Sequence, residues 1–269
     1  MSALRAVFIH EWKRSLTPGR IVWWFVMAAF PIVITALIAS IQRFGQEMGP
    51  EDIDAFWAVL LYVLIPCVCC ALSVLLTAAP AVATELEQRS WVYMATRPNG
   101  IFWLLLGKYL VAVTWGVTAA WAGIAGSMLL TTAASPVQIG VTLSALSVLS
   151  AVSYSAVYLL IGAMFPRRAM VFAVMYTGLV EVVLGFIPAI VNRLTVQYRL
   201  RSLLMQWVPV NEKIRSEPAF AYVFAEGSSL VQCLWLLALT AIFLAVALVV
   251  AHRKAVSYTH LTLPTNREV

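Results

Sequence analysis

Polar positions in this chain are sparse and clustered, and the apolar runs between them are long enough to cross a bilayer. The runs fall at about 21–41, 56–82, 101–131, 139–165, 169–191 and 230–251, which predicts six transmembrane helices and an all-α polytopic membrane protein. Pro31, Pro66, Pro80 and Pro188 lie inside the runs. Neighbouring helices can satisfy the backbone that a proline frees. Gly116, Ala119, Ala120 and Gly123 give the third run a small-residue face for close helix contact. Ahead of the first run, Leu4, Phe8 and Trp12 recur every four residues, with Arg5, His10, Lys13 and Arg14 on other faces. That pattern predicts an amphipathic helix in the headgroup plane, not a cleavable signal peptide. Glu11 interrupts its apolar stripe, and Thr17-Pro18-Gly19 ends it.

The densest polar stretch, Ala83 to Leu110, sits between the second and third runs. Thr84 followed by Glu87 has the form of a capping box and predicts a helix start. Glu85 and Arg89 lie four apart, acid first, which supports one exposed helical face. Pro98 stops that helix, and Pro98-Asn99-Gly100 makes a turn. A short helix pinned at both ends to spanning helices can take a push from a soluble partner. A charged loop that only sets topology is the plainer reading.

Between the fifth and sixth runs, Val196, Leu200, Leu203, Leu204 and Trp207 repeat at helical spacing beside Arg193, Arg199 and Arg201. This predicts an amphipathic helix lying along or dipping into the outer face. Arg199, Arg201 and Trp207 are either part of a plain interfacial helix or part of a gate at the mouth of a pathway. Six spans put both termini on one side. Eleven Lys and Arg fall on that side (Arg5, Lys13, Arg14, Arg20, Arg89, Arg97, Lys108, Arg167, Arg168, Arg253, Lys254) and six on the other. The richer side is expected to be cytoplasmic.

Composition agrees with the pattern: 62% of residues are hydrophobic and 11% charged, which excludes an ordinary soluble globule. The net charge of +6 is spread over span ends, so it points to lipid headgroups and topology rather than nucleic acid. Cys67, Cys69, Cys70 and Cys233 all fall in apolar runs and read as packing residues, with no metal-site spacing. Residues 256–269 resemble the translated transposase-end adapter of DNA library preparation and are set apart from a single membrane domain of 1–255. His260 therefore carries no functional weight.

Catalytic constellations are missing from this pattern. His10 and His252 sit at membrane edges, and neither forms a haem-ligand pair with a facing helix. Gly100 to Lys108 ends in Gly-Lys, but the spacing is wrong for a phosphate loop and Tyr109 stands where Ser or Thr belongs. The chain is not expected to be an enzyme, to bind a metal or to hydrolyse ATP. Glu181 is the deepest acid. A central carboxylate costs roughly 2.5–3.5 kcal/mol to insert, so it should face helices or water, or be protonated. It either lines a pathway or gate, or packs with Tyr176, Thr177 or a neighbouring span.

The order of parts resembles the membrane subunit of an ABC exporter of the type-2 family. The parts are an N-terminal amphipathic helix, six spans, a polar hairpin after span two and an amphipathic segment before span six. Glu85-Leu86-Glu87, Trp91 to Thr96, Arg97-Pro98 and Gly107-Lys108-Tyr109-Leu110 resemble the family's acidic pair, short helix, basic-proline turn and opening of span three. Arg89-Ser90 stands where family members usually carry Gly-Thr. The resemblance implies that residues 83–98 form a cytoplasmic coupling helix docked on a separate ATP-binding subunit. Glu85, Glu87, Arg89 and Arg97 would make polar contacts there, and Trp91, Tyr93 and Met94 would fill the groove. It also implies a second membrane subunit, ATP and Mg bound in the partner only, and a place in a bacterial cytoplasmic (inner) membrane. An ion-coupled carrier using Glu181, or a non-catalytic membrane interaction protein, is the alternative.

Overall fold

Proline at the first position of a helix gives up no hydrogen bond, and among the described residues three α-helices begin that way, at Pro18, Pro50 and Pro136. The structure is a computed structural model that describes residues 3–42, 49–87, 99–183, 195–208 and 227–262. In chain order its helices are α1 (Ala3–Ser15), α2 (Pro18–Gln42), α3 (Pro50–Tyr62), α4 (Ala71–Ala78), α5 (Ala81–Glu87), α6 (Gly100–Met128), α7 (Pro136–Met164), α8 (Ala169–Tyr176), α9 (Val196–Trp207) and α10 (Ser229–Thr262). Wide π-helical turns occupy Val63–Cys70 and Thr177–Val183, and a tight 3-10 turn occupies Pro166–Arg168. No strand occurs among the described residues.

Among the described residues, five helices are long and apolar enough to cross a membrane: Pro18–Ile41, Asp52–Glu85, Gly100–Met128, Pro136–Met164 and Ser229–Lys254. They fit a multi-pass membrane protein. The expected run 169–191 is described to Val183 only, as α8 and the second wide turn, and 184–194 lie outside the described residues. Residues 256–262 continue α10 as helix, and 263–269 lie outside the described residues. Large apolar side chains of α2 and α10, such as Trp23, Phe25, Val33, Leu234 and Ile242, face outward, where lipid would cover them.

α7 is the central rod, packed against α4, α6, α9 and α10. Tyr154 and Tyr158 are fully buried on it and stack at 5.6 Å between ring centres. The small-residue face of α6 works as expected. A side chain at Gly123 would meet Pro31 and Ala28 of α2, and one at Gly116 would meet Val74 of α4. Gly162 of α7 lies against the carbonyl oxygen of Ala79, where α4 gives way to α5. Cys69 and Cys70 are buried in the apolar core, and the Cys70 thiol donates to the Ser147 carbonyl at 3.4 Å.

The capping box at Thr84 is corrected. α5 already begins at Ala81, the Thr84 amide bonds to the Pro80 carbonyl, and its hydroxyl donates to the same oxygen at 2.7 Å. The second crossing helix runs on through this point, so no free helix start exists there to cap. The turn at Asn99 is present: φ of 55° puts it in the left-handed region, which asparagine tolerates. At the opposite end, Asp54 of α3 accepts from the amides of Ala134 and Ser135 at 2.6 and 3.3 Å, and Trp57 donates to Thr132 at 2.9 Å. The short link between α6 and α7 is thereby tied to the start of the second crossing helix.

Candidate functional site

Two polar constructions interrupt the apolar bundle. The first joins α1, α5 and α6 at one end of it. α1 can lie close to α6 because Gly107 has no side chain to collide with Val7. Trp12 and Trp115 then meet at 5.5 Å, and Trp115 donates to the Ser15 hydroxyl at 2.9 Å. That docking turns Glu11 inward. Lys108 Nζ donates to Glu11 Oε2 at 2.8 Å and sits 2.8 Å from Glu85 Oε1. Arg14 Nη1 donates to Glu85 Oε1 at 2.6 Å. Glu85 is 1% exposed and Lys108 9% exposed, so these ions are held by one another rather than by water. Among the described residues two acids and two bases pair, and burial of such ions requires that pairing.

This differs from the exposed face expected for Glu85. The carboxylate points into the bundle and roots α5, as its charged partners on α1 and α6 require. Local spacing in the sequence does not single out Glu11, Arg14 and Lys108 as one site. The signal was an acid interrupting an apolar stripe, together with a lysine just inside a span. Glu87 ends α5 and its side chain lies outside the described residues, as do Arg89, Trp91, Tyr93, Met94 and Arg97.

The second construction surrounds Glu181, which is 3% exposed. Its carboxylate accepts from Tyr176 at 2.7 Å, Tyr154 at 3.1 Å, and the amides of Gln197 and Val196 at 3.0 and 3.3 Å. Tyr176 and Glu181 are five residues apart on the strand of helix where the wide turn starts, and a π-helical turn draws such positions together. Thr195 accepts from the Tyr198 amide at 3.2 Å. A helix that begins away from water has amides that must find partners inside the protein. Glu181 and Thr195 supply three of them for α9. Gln197 extends the network: it donates to the Tyr154 hydroxyl at 2.8 Å and accepts from Tyr62 at 2.6 Å. Three elements distant in sequence therefore meet at one carboxylate. Of the partners expected for Glu181, Tyr176 and a neighbouring span are present, whereas the Thr177 hydroxyl bonds to Tyr158 and to Ala173.

α9 dips into the bundle rather than lying along it. Val196, Leu200, Leu203 and Leu204 are buried in the main apolar core. Arg199 reaches α10, where it donates to Gln232 at 2.7 Å and lies over Trp235 at 5.3 Å. Trp207 donates to Ser229 at 3.0 Å, closing the far end of α9 onto the start of α10. Arg201 is half-buried on the same helix. The two constructions are well separated, since Tyr62 beside Gln197 and Glu85 in the charge cluster are roughly 35 Å apart along a helix. No known protein-family model matches the chain, and no curated protein matches it.

Proposed function

We propose that this chain is a membrane subunit of an ATP-driven ABC exporter, paired with a second membrane subunit and powered by a separate ATP-binding subunit. The observation that carries the reading is the buried charge cluster. Residues 88–98 are flanked by α5 and α6, and Glu85 and Lys108 clamp the root of each to α1. A force applied to 88–98 would move the three helices together. On this reading residues 83–98 are the coupling helix and 169–191 complete a sixth span. The end bearing the cluster faces the cytoplasm, as the distribution of basic residues asks. Glu85 holds the lever from within. Glu87, Arg89 and Arg97 make the polar contacts, and Trp91, Tyr93 and Met94 fill the partner's groove. α9 forms the gate, with Glu181 at its inner tip and Arg199, Arg201 and Trp207 along it. ATP and Mg bind the partner, and the membrane is the inner membrane of a bacterium.

The test is reconstitution with a candidate ATP-binding subunit taken from a neighbouring reading frame. Glu87→Gln and Arg97→Gln are expected to insert normally and to abolish the membrane subunit's effect on ATP hydrolysis. Unchanged coupling in both variants contradicts the reading.

A second reading is favoured by the Glu181 network alone: a carrier that moves an ion through that carboxylate. Vesicles holding an imposed pH gradient separate the two. The carrier dissipates the gradient without ATP, and Glu181→Gln stops it. A non-catalytic interaction protein would show neither behaviour.

A further inference from the structure

The acid that holds α9 stands on a wide turn, and that turn decides which way it points. In an α-helix Tyr176 and Glu181 would lie about 140° apart around the axis. The π-helical turn Thr177–Val183 closes its hydrogen bonds one residue later, and so brings both onto one carboxylate site beside α7. Two donors then reach each oxygen: Tyr176 and the Val196 amide on Oε1, Tyr154 and the Gln197 amide on Oε2. The chain before the turn is fixed, since Ala173 is buried and the Thr177 hydroxyl bonds to Tyr158 of α7 at 2.8 Å. The outward side has room to move: a side chain at Gly178 would meet nothing within 4 Å, and Leu179, Val182 and Val183 are exposed. α9 is tied differently at its two ends. Its first amides depend on Glu181 and Thr195. At its other end Gln206 donates to the Gly227 carbonyl at 2.9 Å and Trp207 to Ser229 at 3.0 Å.

We propose that the wide turn Thr177–Val183 is a register switch that seats and releases α9. Narrowing it to an α-turn rotates Glu181 by about 100°, one residue's worth, while Tyr176 stays beside α7. The carboxylate then leaves the first amides of α9, and α9 swings outward on its ties at Gln206 and Trp207. The swing also parts Arg199 from Gln232. Half-way positions are disfavoured, because they leave a carboxylate and backbone amides without partners where water is scarce. Once α9 has lifted fully, its vacated seat admits water, which takes over both sets of groups. α9 therefore has two places, in or out, and none between. Its apolar stripe of Val196, Leu200, Leu203 and Leu204 can face core or lipid, so it does not hold α9 in by itself. The inference deepens the gate assigned to α9 and rests on that reading for its purpose, but the movement itself needs no ATPase to be seen.

The test is amide hydrogen exchange, read by mass spectrometry, on the full-length chain in lipid nanodiscs without an ATPase. Glu181→Ala removes the acceptor and is expected to speed exchange over α9 about tenfold or more, the scale of one bond to a charged group. Peptides of α6 and α7 should keep their wild-type protection. Deleting Gly178 places Tyr176 and Glu181 four apart, so an ordinary α-turn presents both on one face and no wide turn is left to narrow. That variant is expected to slow exchange over α9 below the wild-type rate, because the release route is gone. A wild-type rate over α9 in either variant overturns the inference. So does loosening of α6 and α7 as much as α9 in both. Opposite shifts over α9 in a chain that couples to no ATPase would keep the switch and remove the exporter reading.

Discussion

Removing the ammonium of Lys108 would leave the carboxylates of Glu11 and Glu85 close together and out of water, with Arg14 as their remaining cationic partner among the described residues. One-sided loss of a buried ion pair costs about 3–5 kcal/mol. Lys108→Met is therefore expected to lower the melting temperature of the solubilised protein markedly. Adding Glu11→Leu should recover part of the loss, because the orphaned charge goes with it. A Lys108→Met protein that melts like wild type would show that the cluster does not brace α1. Both acids at the heart of the two constructions were visible in the sequence, Glu181 as a lone carboxylate in an apolar run and Glu11 as a fault in an apolar stripe. Their partners were not. Tyr154 and Gln197 flank Glu181 from separate elements, and Lys108 is 97 positions from Glu11. Local spacing holds no information on such pairs.

Among the elements, the long apolar helices were legible because twenty consecutive apolar residues have few other fates. α9 was legible as a helix but not in its depth. Its leucines suit lipid or core equally, and what decides for the core is the carboxylate and threonine waiting for its first amides. Thr84 misled because a capping box is a signal only where a helix begins, and here the preceding span continues. The wide turn at Val63–Cys70 contains Pro66, which has no amide to give, and its own carbonyl accepts from Ser150 at 2.7 Å. Close contact between α7 and the α4–α5 rod depends on Gly162. A Cβ there collides with the backbone oxygen of Ala79, which cannot rotate away. Gly162→Leu is expected to abolish the monodisperse folded peak in size-exclusion chromatography, while Gly19→Leu, in open space, should leave it unchanged. A well-folded Gly162→Leu protein would contradict this packing.

At the scale of the whole molecule, α1, the end of α5, the start of α6 and the ends of α7 and α10 gather at one end of the bundle. Lys254 donates to the Met164 carbonyl there at 2.7 Å, and the charge cluster lies at the same end. The proposed account requires that this end, with residues 88–98, face the cell interior, where an ATPase can reach it. A cysteine placed at Gln88 and probed with a membrane-impermeant maleimide, read peptide by peptide, measures this directly. The account predicts protection in intact cells and full labelling in inside-out vesicles, with the ATPase subunit restoring protection. Labelling of Gln88→Cys in intact cells, or none on either side, would contradict it.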